Sequence, residues 1–312
     1  MAKKKKTTKK PFKVKVIFIS AAISLAVVLI FLLTFTDEQS HVTFTDIHGV
    51  GYSNDGKMIF IPAHDGIKQY DTMNKQWKAT PGEKNDYMGF SMVDDGFYSS
   101  GHPGKGSDKP NPLGIVRSKE IGGEIELLGL EGETDFHFLA AGYENHVLYA
   151  YTSMANSKMP SDGLYYSNDE AKSWNERDLT KVEGEITGIA VHPTDANVVA
   201  ISTQNKVYLS RNKGETFEEL TNRKQVTSLT FTNNNSLLVG GFENKAFLTE
   251  INLNNSMEKD IRIPTFEGDA IAYLAKNPVD KNIVFTTFKK DVYLNNGERW
   301  IKLVNQGKAV NK

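Results

Sequence analysis

Cysteine is absent from the 312 residues, which excludes disulfide stapling, thiolate nucleophiles and cysteine-ligated metals. Arginine is scarce, with Arg117, Arg177, Arg211, Arg223, Arg262 and Arg299 the whole set, and no acidic residue precedes Asp37. The strings G-x-S-x-G and H-E-x-x-H and the phosphate-binding loop are missing as well. A nucleophile elbow, a zincin helix and a P-loop therefore drop out of consideration.

The charge that is present is unevenly spread. Eight lysines (Lys3, Lys4, Lys5, Lys6, Lys9, Lys10, Lys13 and Lys15) stand ahead of an apolar run; without them, 29 basic residues face 38 acidic ones, a balance of −9. That balance speaks against nucleic acid as a partner. The run Val16–Phe35 is 20 residues long, broken only by Ser20, Ser24 and Thr34. A helix of that length crosses a hydrocarbon core of about 30 Å. The lysine cluster then puts the N-terminus in the cytoplasm and the remainder outside it. A cleavable signal peptide is the alternative, but its apolar core runs to roughly 7–15 residues, and Leu32-Leu33-Thr34-Phe35-Thr36 offers no small-residue cleavage pattern. The expected organisation is a cytoplasmic lysine-rich tail at 1–15, a single-pass signal anchor in the cell membrane at 16–35, a linker at 36–42, a folded domain at 43–305 and a short tail at 306–312.

The folded domain repeats one frame. Residues 185–220 read as four short antiparallel strands of alternating apolar and polar residues, one blade of a β-propeller. Equivalent opening strands begin at Ile47, Tyr87, Phe136, Ile186, Val226 and Ala270, each preceded by Asp46, Asp86, Asp135, Glu185, Gln225 or Asp269. Turn residues follow each opening strand, among them Asn54-Asp55-Gly56, Asp94-Asp95-Gly96 and Asn233-Asn234-Asn235, types that hairpin turns select. Outer strands are expected around Trp77, Leu127, Trp174, Phe217, Ile261 and Trp300. The fold class expected is all-β, a six-bladed β-propeller behind one N-terminal transmembrane helix, with Ser40–Thr45 available as an extra strand to close the ring.

Turns between third and fourth strands carry a resemblance. Ser167-Asn168-Asp169-Glu170-Ala171-Lys172-Ser173-Trp174 and Ser210-Arg211-Asn212-Lys213-Gly214-Glu215-Thr216-Phe217 resemble the Asp-box (BNR) motif S-x-D-x-G-x-S/T-W/F, and Asn295-Asn296-Gly297-Glu298-Arg299-Trp300 is a shortened version. Across 43–305 the chain resembles secreted or membrane-anchored Asp-box propellers, the group that includes sialidase-like, sortilin-like and photosystem II assembly factor-like proteins. Strings such as Ile47-His48-Gly49, His64-Asp65-Gly66 and Asp135-Phe136-His137 are similar to a bacterial subgroup labelled as glycosyl hydrolases. The resemblance implies the fold. It does not extend to sialidase chemistry, which needs an arginine triad; Arg211 sits in a turn motif, and Arg262-Ile263-Pro264 falls late, in the fifth repeat.

In a four-stranded blade, the loops entering the opening strand share a face with the loops between second and third strands. Asp46, His48, Asp86, Asp135, His137, Glu185 and Asp269 are thereby expected around the central channel. His64 and Asp65, and His102 within Ser100–Asn111, belong to second-to-third loops on the same face. Converging imidazoles and carboxylates suit a divalent cation, Ca2+ or Mg2+ if oxygens dominate and Zn2+ or Mn2+ if nitrogens do. The metal candidates are His48, His64, His102, His137 and Asp135. A ligand site adds Asp65 and Tyr87, the latter, with Tyr143 and Tyr151, as a platform for a sugar ring. The alternative is that aspartates and histidines at strand starts bond neighbouring backbone and close the ring. A glycosidase would need two carboxyls about 5–9.5 Å apart, with Asp46, Asp86 and Asp135 the candidates. His146 and His192 are read as turn residues on the other face. The functions in view are a binding propeller for a protein, peptide or glycan, a glycoside hydrolase, and a scaffold that spaces partners.

Overall fold

The computed structural model describes Met1, residues 42–78 and residues 80–310. The expected tail beyond Met1, the anchor, the linker up to residue 41 and residues 311 and 312 lie outside the described residues. Among the described residues no helix is long and apolar enough to cross a membrane.

Six antiparallel sheets make up the domain, five of four strands and one of five. Within each sheet, chain order is spatial order, so every blade is a meander of hairpins. The opening strands are Gly51–Tyr52, Asp86–Val93, Phe138–Ala141, Ile186–Val191, Val226–Phe231 and Ile271–Lys276. Each packs against the opening strand of the next blade, and the sixth returns to the first, which closes a ring of six.

Burial grades outward along each blade. The second strands Val199–Thr203 and Ile283–Thr287 are buried at every position, because neighbouring blades cover both of their faces. The outer strand Glu258–Asp260 is exposed throughout. Tyr98, Tyr149 and Tyr165 are among the largest fully buried side chains and fill the wedges between blades. Of the six expected outer-strand markers, Trp77, Leu127 and Trp300 lie within strands; Trp174 and Phe217 precede theirs by one residue, and Ile261 follows its strand.

The turns after the third strands of blades 3 and 4 have a common construction. Asp169 Oδ1 accepts from Ser173 N at 2.9 Å and Ser167 Oγ at 2.9 Å, while Ser173 Oγ donates to Oδ2 at 2.6 Å. In the next blade Asn212 Oδ1 accepts from Thr216 N and Ser210 Oγ, and its amide donates to Thr216 Oγ1 at 3.0 Å. Two left-handed residues follow in both: Glu170 and Ala171, and Lys213 and Gly214. In blade 1, Asp71 accepts from Met73 N and Asn74 N in the equivalent turn, although its sequence does not match the motif.

The ring closes at blade 6. Phe44 N donates to Gly307 O, Ala309 N donates to Val42 O, and Thr43 bridges Lys308. Lys308–Ala309 is thus a fifth strand, where the sequence reads as a tail from 306 onward. It pairs with Val304 and Asn305 on one side and meets the backbone of Val42 and Thr43 on the other. Phe44 then packs edge-on against Trp77, ring centroids 5.4 Å apart.

Candidate functional site

Backbone irregularity at the start of the inner strands creates the upper rim. In blades 4, 5 and 6 the register slips after the first residue, at Ile186/Gly188, Val226/Ser228 and Ile271/Tyr273. A bulge of this kind turns the extra side chain out of the ladder. Thr187 Oγ1 donates to Val226 O at 2.8 Å, and Thr227 Oγ1 donates to Ile271 O at 2.5 Å. Each hydroxyl therefore clasps the next blade's backbone. Ring closure of the kind considered for the aspartates and histidines is made here by threonine hydroxyls instead.

Blades 1 and 3 carry His48 and His137 at the same register position, and these two bond differently. In blade 1 the second strand contains Pro62, which has no N–H to donate, and only Gly51–Tyr52 pairs as a ladder. His48 keeps one backbone bond, its N–H to Pro62 O at 3.0 Å. Its ring lies 4.7 Å from that of His64, edge to face, with His48 Nε2 3.4 Å from His64 Nδ1. Both meet Asp86 of blade 2: His64 Nδ1 is 2.6 Å from Oδ2, and His48 Nε2 is 3.4 Å from Oδ1. Asp46 Oδ2 stands 3.7 Å from His64 Nε2, and Asp46 Oδ1 accepts from Ile47 N.

A second group forms at blades 2 and 3. Asp135 Oδ2 is 3.2 Å from His137 Nε2 and 3.6 Å from His102 Nε2. His102 Nδ1 contacts Asn111 Oδ1 at 2.7 Å. The expected histidine–aspartate set is therefore divided into a blade 1–2 group and a blade 2–3 group. The first is the more sheltered, with His48 and Asp86 side chains 11% and 16% exposed against 64% for His137. Burial lowers the pKa of His48 despite Asp86 and Asp46 beside it, and His64 and His137 push it the same way.

Other expected positions fall elsewhere. Tyr87 is buried 5% exposed between blades 1 and 2, packed edge-on against Phe97, with its hydroxyl bonded to Asn85; it is core, and its faces are not open to a sugar. Tyr143 binds Asn54 at the opposite end of the channel, and Tyr151 packs on Phe138. Asp65 pairs with Lys68 at 2.6 Å and stays apart from both groups. Asp269 caps its own strand through Ala270 N and Lys289 N. On the opposite face His192 Nδ1 accepts from Asp195 N at 3.0 Å, a turn role as expected, and His146 Nε2 is 2.6 Å from Asp94.

The channel itself holds about 530 Å3. His48, His137, Tyr273 and Phe288 line it. Phe288 is 63% exposed, an aromatic held out in solvent at the rim. A lone phenylalanine followed by Lys289-Lys290 carries no motif that would mark it in the sequence. Burial pushes the Tyr273 hydroxyl up to about 12, with Asp46 adding to the effect.

Fold and site together define a closed, six-bladed propeller with side-chain-braced turns below and a histidine–aspartate rim above. The family profile described as Sortilin-Vps10 (Sortilin, neurotensin receptor 3) matches residues 114–302, more than half the chain. The chain belongs to that family. None of the curated proteins matches it. Among solved structures it is similar to the GH74 enzyme of Niastella koreensis (14% identity, TM-score 0.55), with 84% of this chain and 45% of that one aligned. The tricorn protease aligns at 12% identity and a TM-score of 0.59, over 85% and 27% of the respective chains. A structure of YCF48 bound to D1 peptide aligns at 13% identity over 72% of this chain and 68% of that one, with a TM-score of 0.43. The chain spans less than half the length of the GH74 and tricorn chains, and at these identities the likeness is one of fold.

Proposed function

We propose that this chain is a membrane-tethered, extracytoplasmic propeller that captures a protein, peptide or glycan ligand on its upper rim. The observation that carries the reading is the convergence there of His48, His64, Asp46 and Asp86, with His102, Asp135 and His137 beside them. These groups offer both donors and acceptors, and the exposed Phe288 supplies an apolar contact. Convergent polar groups around a concave channel are the usual form of a ligand site. Membership in a family named for a neurotensin receptor supports a binding role. The lysine-rich tail and the run Val16–Phe35 support tethering with the propeller outside the cytoplasm.

A glycoside hydrolase is the second reading. Asp46 and Asp86 flank one imidazole, that of His64, so two carboxylates share one small space at the rim. The two readings separate in a paired experiment on the purified full chain. Affinity capture from an envelope fraction is compared for wild type, His137→Ala and Phe288→Ala, and polysaccharide turnover is assayed for wild type and Asp46→Asn. Capture lost on Phe288→Ala, without sugar release, supports binding. Sugar release abolished by Asp46→Asn replaces it with the hydrolase. Capture indifferent to both rim variants, with no turnover, refutes the rim as the site.

A further inference from the structure

We propose that the blade 1–2 group is a zinc site, with His48 Nε2, His64 Nδ1 and Asp86 Oδ1 as ligands and Asp46 as the group that orients His64. This deepens the proposed ligand-binding role of the rim and rests on it only for the identity of whatever takes the remaining coordination position.

Three observations converge. The first is spacing. Zinc bonds of about 2.0–2.1 Å in a tetrahedron place donor atoms roughly 3.3–3.4 Å apart. His48 Nε2 lies 3.4 Å from His64 Nδ1 and 3.4 Å from Asp86 Oδ1. Neither distance makes a strong hydrogen bond, yet both suit a shared cation.

The second is an unsatisfied atom. His64 Nδ1 meets Asp86 Oδ2 at 2.6 Å, which accounts for one carboxylate oxygen. Asp86 Oδ1 is buried and has no hydrogen-bond partner. Leaving a carboxylate oxygen desolvated and unpaired costs a folded protein free energy. A cation seated between Oδ1 and His48 Nε2 removes that cost. On coordination His64 Nδ1 exchanges its hydrogen bond to Asp86 Oδ2 for a bond to the metal, and any proton it carries leaves to solvent.

The third is the surrounding shell. Metal-bound histidines commonly direct the second ring nitrogen at a carboxylate. Asp46 Oδ2 stands 3.7 Å from His64 Nε2, and Asp46 is itself fixed by accepting from Ile47 N. Donor atoms of Asp46, His48 and His64 all lie within 4.8 Å of one another.

The donor set chooses the metal. Two imidazoles and one carboxylate suit zinc, whereas calcium and magnesium favour all-oxygen shells. Three protein ligands leave one tetrahedral position open, as in zinc sites that bind an exchangeable group. His48 lines the channel, so that position is available to water or to an oxygen of an incoming ligand. The blade 2–3 group differs: one carboxylate serves two well-exposed histidines, and no buried oxygen there goes unpaired.

The test uses the full chain in detergent, prepared without a polyhistidine tag and stripped with chelator. Zn2+ is titrated against a chromogenic competitor, and thermal unfolding is followed with and without Zn2+. One equivalent should bind in the micromolar range or tighter and raise Tm. His64→Ala, at a half-exposed position that folding tolerates, should weaken binding about 100-fold and remove the rise in Tm. Asp46→Asn should cost about tenfold, as expected of an orienting carboxylate. His192→Ala, in a turn on the opposite face, should leave zinc binding unchanged. Absence of stoichiometric binding by wild type overturns the assignment. So does binding that His137→Ala abolishes and His64→Ala spares, or binding of Ca2+ in preference to Zn2+. Because the readout is the metal alone, any of these results leaves ligand capture at the rim to be judged on its own experiment.

Discussion

Replacing Asp169 probes the device that the outer edge of the propeller uses repeatedly. Its carboxylate accepts from Ser173 N, Ser173 Oγ and Ser167 Oγ. Those bonds, led by the ones from Ser173, hold its pKa at about 2, against an ordinary value near 3.8. A difference of that size corresponds to about 2.4 kcal/mol of preference for the ionised form; solvent screening in this surface turn reduces it to about 1–2 kcal/mol. The folded-state pKa is depressed, so the stabilisation is complete above about pH 4 and fades as pH falls toward 2. Asp169→Ala should therefore lower stability by about 1–2 kcal/mol at pH 7, with the difference from wild type shrinking by pH 2.5. Asp169→Asn should behave otherwise. Asn212 already occupies the matching place in blade 4, donating to Thr216 Oγ1 where Asp169 accepts from Ser173 Oγ. A hydroxyl can serve either way, so the asparagine variant should stay within about 0.5 kcal/mol of wild type at pH 7 and gain relative to it in acid. Urea unfolding of the three proteins at both pH values, compared at constant m, supplies the measurement. Equal losses for Ala and Asn, or an Ala loss that ignores pH, would refute the account.

Other expectations follow from packing and from the clasps. Phe44→Ala empties a side chain 3% exposed against Trp77 at the ring closure and should cost about 3–5 kcal/mol in chemical denaturation; a loss below about 1 kcal/mol would mean the closure contributes little. Thr227→Val deletes the bond to Ile271 O and should cost about 1 kcal/mol, whereas His137→Ala, on an exposed ring, should stay within about 0.5 kcal/mol; the reverse order in the same assay would show that His137 is a ring-closing residue after all. Gly214→Ala should cost about 1–2 kcal/mol, the usual penalty for an alanine in the left-handed region, yet still fold, since Ala171 holds φ +63° in the sister turn; circular dichroism melts of the two proteins decide this.

Most of the blade architecture could be read before any coordinates, for a physical reason. Hairpin turns demand Asn, Asp and Gly, second strands buried on both sides demand apolar runs such as Val198-Val199-Ala200-Ile201, and both requirements leave local marks. The rim was half legible. Register alone brought His48, His64, Asp86 and Asp46 to one end of the channel. It could not tell which carboxylate would face which imidazole, because that depends on how blade 2 packs against blade 1. Tyr87 shows the same limit: as the neighbour of Asp86 on a strand it points to the other side, into the wedge with Phe97, and a register drawn for one face misassigned it. Lys308–Ala309 is a two-residue strand that pairs locally with Val304 and Asn305 and is bridged by distant Thr43, too short to show an alternating pattern in the sequence. Phe288 escaped for want of any repeat counterpart.

A ring of identical modules would present an entering group with six interchangeable rotational settings. Here the neutral, self-satisfied hydroxyls of Thr187 and Thr227 occupy one arc of the mouth, and the two histidine–aspartate groups occupy the other. A lopsided mouth breaks the rotational degeneracy of the scaffold. Whatever enters has one azimuth at which its charges find opposites, so orientation is selected before any pocket tightens around it.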